Sequence, residues 1–133
     1  MLEAAEEEGT IAPGPHGLIV PEIWWETKPP QPGGISLRRQ ARYTSLALFL
    51  LHERGAEGVW FLQMRDSPRS RGESRLASYQ TGIYSLRGRK KPALRAVRFP
   101  FVSKRTEAVT VRLWGRAPAG GRLRVEVRRR GGH

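Results

Sequence analysis

Cysteine is absent from the 133 residues, which excludes a disulfide scaffold, thiolate metal sites and a cysteine nucleophile. Histidine is scarce. His16, His52 and His133 show no i, i+4 spacing and no carboxylate neighbours in a ligand pattern, so neither a metal centre nor a cofactor is expected. No apolar run approaches the ~18–20 residues of a membrane span, which removes the membrane as an expected partner. G-x-S-x-G and the phosphate-binding P-loop are both missing, so serine hydrolysis and nucleotide binding have no foothold. The length is also short of the ~200 residues or more of a complete eight-fold β/α barrel. The opening MLEAAEEEGT is acidic where a secretory signal is basic and then apolar. The expectation is a soluble chain with no export signal of its own.

What is abundant is arginine. The formal charge is +12, and 20 of the 24 basic residues are Arg. Residues 1–35 hold six acids and one base, whereas residues 36–133 hold 23 bases and six acids. A basic portion of that kind can meet phosphates or an acidic surface. The bases are scattered singly through helix and strand patterns as well as in the runs RGRKK (87–91) and RRR (128–130). Solvated faces account for that scatter without any polyanion.

Periodicity predicts an α/β chain. Residues 1–8 suit a short helix, and Gly9 to Gly17 reads as a loop. GLIVPEIWW (17–25) suits a strand buried on both faces, and Pro21 within it demands a bulge or an unpaired edge. TKPPQPGG (27–34) is a loop that no regular element crosses. Ser36 then supplies an N-cap for a helix over 37–54, with Leu37, Ala41, Thr44, Ala47, Leu48 and Leu51 at spacings of three and four and Gly55 at the C′ position. GVWFLQM (58–64) is the second buried strand. Strand, helix and strand make a βαβ unit, hence a parallel pair with a right-handed crossover. Residues 65–76 read as an exposed loop, 77–86 as an irregular strand or turn, and Pro92 opens a short helix ended by Pro100. In the tail, Val109, Val111 and Leu113 alternate, the RAPAGG turn follows, and Leu123, Val125 and Val127 alternate again. That pattern predicts an antiparallel hairpin with Arg112, Arg124 and Arg128 on its wet face.

A parallel βαβ unit gathers functional groups at the carboxyl ends of its strands. Glu22, Trp24, Trp25 and Glu26 stand at the first end; Gln63, Arg65 and Asp66 stand at the second. A carboxylate between Pro21 and Ile23 in an apolar strand is costly to bury unless it is paired or hydrogen-bonded. Glu22 therefore reads as a catalytic or ligand-binding carboxylate, or else as half of an ion pair with Arg65 or another arginine. Arg65 and Asp66 are expected to pair with each other or to cap a loop.

LIVPEIWWETKPP, followed after a helix by GVWFLQMRDSP, resembles the last two β/α units of a clan A retaining glycoside hydrolase, a (β/α)8 barrel. TGIYSLRGRKKPALRAVRFPF resembles the segment that closes such barrels. The resemblance covers residues 17–101. It implies three parts: an N-terminal remnant (1–16), a partial β/α barrel (17–101), and a C-terminal β-hairpin (102–133) that begins a β-sandwich. It also implies Glu22 as the nucleophile, and Trp24, Trp25, Glu26 and Trp60 (or Phe61) as carbohydrate-binding residues.

The same resemblance exposes a gap. Retaining hydrolysis uses two carboxyl groups ~5–5.5 Å apart. In this clan the acid/base Glu follows an Asn, and no Asn occurs in the chain. The first six strands are missing too. The chain alone is therefore expected to have no turnover, since a lone carboxylate lacks a proton donor for the leaving group. Open strand edges are expected to make it marginal as a monomer. Two other readings stand beside this one: a small basic module that grips nucleic acid through RGRKK and the Arg-rich hairpin, and a gene fragment with no function of its own.

Overall fold

The computed structural model describes residues 17–28, 32–68 and 79–126. The elements are β1 (Leu18–Ile23), α1 (Leu37–Glu53), β2 (Ala56–Phe61), α2 (Pro92–Arg98), β3 (Phe101–Arg105) and β4 (Val111–Gly115). They form a mixed α/β arrangement with one parallel pair, β1–β2, and one antiparallel hairpin, β3–β4. The helix expected over 1–8, most of the loop at 9–17, residues 29–31 of the loop at 27–34, residues 69–76 of the loop at 65–76, residues 77–78 of the segment at 77–86, and Val127 and Arg128 of the tail lie outside the described residues.

Proline sets the shape of β1. The register runs Val20↔Val59 and then Ile23↔Phe61, so β1 advances three residues while β2 advances two. Pro21 has no N–H to give a ladder, and it lies with Glu22 in the resulting bulge. A compensating shift between Leu18 and Ile19 restores the phase. Bulges bend a strand and re-aim its side chains.

α1 forms where capping and periodicity place it. Ser36 Oγ accepts the Arg39 N–H at 3.2 Å, and Gly55 takes the left-handed conformation, φ +73°, that a residue with Cβ resists. Its buried stripe is less apolar than the sequence pattern suggests. Gln40, Thr44 and Phe49 are the buried residues, while Leu46 and Leu50 are exposed. α2 lays the small buried residues Ala93 and Ala96 into the interior; Pro92 at its first turn fits the fixed φ of a helix start.

The strands are not buried on both faces, as their apolar runs suggest. Val59 and Phe61 face Leu48 and Leu51 of α1 across a cleft of about 680 Å³. Strand alternation turns Trp60 to the opposite face, where it is 55% exposed and Ile19 is 52% exposed. α1 covers one face only, and among the described residues no element covers the other.

The hairpin also differs from expectation. Val111–Gly115 pairs with Phe101–Arg105, not with residues 123–126, and 122–126 carry no strand. Alternation gives a strand its faces but does not name its neighbour. The upstream segment takes the edge because it is anchored: Phe99 and Phe101 lie 6.3 Å apart, and the Arg116 N–H donates to Pro100 O at 3.2 Å. Trp114 on β4 then packs on Phe49 and His52 of α1, with ring centroids at 5.4 and 5.5 Å. Arg112 shares the Trp114 face, the one turned toward α1, and meets Glu53 there at 3.2 Å, whereas Val109, Val111 and Leu113 are exposed; the two faces are the reverse of the expectation.

Candidate functional site

The carboxyl end of β1 carries the candidate residues. Glu22 sits in the Pro21 bulge and its side chain is exposed. Among the described residues it has no salt-bridge partner, so it is neither hidden in an apolar strand nor paired with Arg65. The physical reason is the open face: a carboxylate on a ribbon covered from one side keeps its water. Trp24 beside it is 46% exposed. Trp25, next in line, turns inward and packs its ring on Tyr43 of α1 at 6.1 Å. This tilted packing against α1 occupies the indole that alternation left available to a ligand.

Trp60 belongs to the same rim. It precedes Phe61, whose register partner is Ile23, and it stands on the open face. Its indole folds back over Gly58: a Cβ there would lie 3.2 Å from the Trp60 ring and 3.9 Å from Ile19. Glycine at 58 thus makes room for a flat aromatic surface beside Ile19. Leu62 and Met64 continue the exposed apolar strip beyond β2, Met64 being 59% exposed.

Behind this rim lies a buried polar cluster. Lys91 Nζ donates to Asp66 Oδ1 at 2.6 Å, to Thr27 Oγ1 at 3.1 Å and to Gln80 O at 3.1 Å. All three ammonium protons are therefore used, which is what a buried cation requires. The side chains of Lys91 and Asp66 are only 5% and 4% exposed. Asp66 Oδ1 also accepts the Gly82 N–H at 3.0 Å. Thr27 donates to Gln80 O from its hydroxyl at 2.6 Å and from its backbone N–H at 3.2 Å. One ion pair thus joins the segment after β1, the segment after β2, residues 80–82 and the start of α2.

Glu26 is tied to the same cluster. Its Oε2 accepts the Gln80 N–H at 3.0 Å, so residue 80 touches Glu26 with its donor and Lys91 with its acceptor. On the far side, Gln40 Nε2 donates to Thr81 O and Gly82 O at 3.1 and 3.2 Å. These bonds explain why an amide occupies a helix position that the apolar stripe would give to leucine.

Sequence reasoning missed most of this cluster. Asp66 pairs with Lys91 rather than Arg65, and it is buried in a segment read as an exposed loop. Lys91 is buried although it closes the basic run RGRKK. The available signal was its position: the residue before Pro92 is held extended at the cap of α2, where a side chain can run beneath the helix instead of into water.

Of the candidate site residues, the 680 Å³ cleft between α1, β2 and the hairpin is lined only by Phe61, the alternative to Trp60, and not by Glu22, Trp24, Trp25, Glu26 or Trp60. Among the described residues no group of three or more His, Cys, Asp or Glu could hold a metal ion, and no helix is long and apolar enough to cross a membrane. No family model, curated protein or solved structure matches the chain.

Proposed function

We propose that the chain is the C-terminal part of a glycoside-hydrolase-like (β/α)8 barrel, with further parallel strands meeting the open edges of β1 and β2. Glu22 is the nucleophile of a retaining mechanism in this reading. Its carboxylate attacks the anomeric carbon, the glycosidic C–O bond breaks, and a second carboxylic acid protonates the leaving oxygen. That acid has no counterpart here, since the chain contains no Asn–Glu pair. The chain alone binds carbohydrate without turning it over. Trp24 and Trp60 offer flat faces on which sugar rings stack, Glu26 accepts sugar hydroxyls, and Trp25 supports the rim from the α1 side.

One observation carries this reading. Glu22, Trp24 and Glu26 follow one another at the carboxyl end of a parallel strand, and Trp60, exposed, lies opposite the 21–22 bulge in the register. A bulge at that point lifts Glu22 out of the ladder, as bulges beside functional sites do.

The test is a tryptophan-fluorescence titration of the full chain with cellohexaose, xylohexaose and chitohexaose, and with a single-stranded RNA, at low and high salt. At least one oligosaccharide should bind with little salt dependence and without cleavage, and Trp60→Ala should weaken it at least fivefold. RNA binding that falls steeply with salt, with no sugar binding, would replace this proposal with a phosphate-gripping module.

A further inference from the structure

Glu26 and Lys91 are 65 positions apart and never touch, yet they share residue 80. The Gln80 N–H reaches Glu26 Oε2 at 3.0 Å. The Gln80 carbonyl receives Lys91 Nζ at 3.1 Å, Thr27 Oγ1 at 2.6 Å and the Thr27 N–H at 3.2 Å. From this arrangement we infer that Lys91 is a positioning residue: its buried ammonium holds residue 80, and residue 80 holds the Glu26 carboxylate at the rim. The inference rests on the reading of Glu26 as a ligand-facing carboxylate and adds the group that orients it.

The burial argues for this role. A lysine stem that ends 5% exposed surrenders hydration and side-chain entropy, and an apolar residue could fill the same space. What an apolar residue cannot do is donate to three oxygens at once. Those oxygens belong to Thr27, Asp66 and Gln80, so one ammonium sets three segments in register. Thr27 is the direct neighbour of Glu26, and its backbone and hydroxyl both point at Gln80 O. Residues 26–27 therefore meet the main chain of residue 80 through three hydrogen bonds besides the lysine's own, one from main chain to main chain and two through the Glu26 and Thr27 side chains. Glu26 is half-buried, with its Oε2 held by the Gln80 N–H.

The experiment uses the ¹⁵N-labelled full chain. The Gln80 amide proton shift is followed as acid protonates Glu26, with Glu26→Gln as the control that separates this response from protonation of Asp66. In the wild type the Gln80 shift should move, and in Glu26→Gln it should not. Lys91→Met, and Asp66→Asn/Lys91→Met in case the single variant unfolds, should both lose the Gln80 response while the amides of α1 keep their native shifts. A Gln80 response that persists unchanged in a folded Lys91 variant overturns the inference, because Lys91 then supports the fold and does not aim Glu26. A parallel titration with the three oligosaccharides should show affinity reduced at least fivefold in Glu26→Gln, and no further in the triple combination with Asp66→Asn and Lys91→Met. Absence of sugar binding by the wild type would refute the proposed function and leave the amide response to decide the positioning claim.

Discussion

Replacing Lys91 with methionine should be among the most damaging single changes in the chain. Methionine keeps most of the stem volume but removes the ammonium that meets Asp66 at 2.6 Å. Asp66, 4% exposed in its side chain, would keep the Gly82 N–H as a partner and lose its counter-charge. Breaking a buried pair from one side costs about 3–5 kcal/mol, because a charge is left without compensation. A domain of this size is held together by about 5–15 kcal/mol, so the single variant should lose a large share of its stability. Asp66→Asn/Lys91→Met removes both charges, preserves an acceptor for Gly82 and should regain most of the loss. Urea unfolding followed by tryptophan fluorescence measures all three proteins, and repeating it in 1 M salt adds a second check. A buried pair is screened far less than an exposed one, so the gap between Lys91→Met and the wild type should survive the salt. If Lys91→Met lies within about 1 kcal/mol of the wild type, or the double variant is no better than the single, the pair is solvated and the reasoning fails.

Phe49 is 2% exposed and its ring packs on Trp114 at 5.4 Å; Phe49→Ala should cost about 3–5 kcal/mol by differential scanning calorimetry or urea melts, and should alter the near-ultraviolet dichroism of Trp114. Two glycines make a paired test. A Cβ on Gly82 would lie 2.6 Å from the backbone of Arg65 and Asp66, whereas one on Gly33 meets nothing within 4 Å. Gly82→Ala should therefore destabilise by about 1–3 kcal/mol, and Gly33→Ala should be neutral or slightly stabilising. Equal effects at the two positions would show that the 65–66 and 82 backbones do not approach this closely.

Much of the skeleton was legible because it depends on local signals. Ser36 and Gly55 bound α1 through capping and a left-handed turn, and Pro92 opens α2; each is a property of a residue and its neighbours. Pro21 marked a bulge for the same reason, since a missing N–H is visible in the sequence. Two things were not legible. The partner of β4 depends on which segment the rest of the fold anchors, and alternation is silent on that. The burial of Lys91, Asp66, Gln40 and Thr27 depends on hydrogen bonds between residues 11 to 64 positions apart. Composition rules assign such side chains to the surface because isolated polar groups belong in water. A cluster in which nearly every donor meets an acceptor escapes the rule, and only the fold brings the cluster together.

That cluster divides the candidate site into two parts with different mechanical support. Glu26 is attached through residue 80 to an interior where Thr27, Gln40, Asp66, Gln80, Thr81 and Lys91 are all buried. Glu22, Trp24 and Trp60 stand on a two-stranded parallel ribbon with one covered face. Parallel strands are ordinarily covered on both faces, and a two-stranded sheet in water is marginal without that cover. Local opening should therefore reach the ribbon before it reaches the cluster, since segments with little buried apolar contact open at lower free energy. The amides of 18–23 and 56–61 that serve the β1–β2 ladder should exchange with solvent sooner than those of Gln80, Gly82 and Lys91. The order would invert if the ribbon, and not the ion pair, were the stable nucleus of the chain. In that case the geometry of Glu22 would owe nothing to further strands, and the need for a larger barrel around it would disappear.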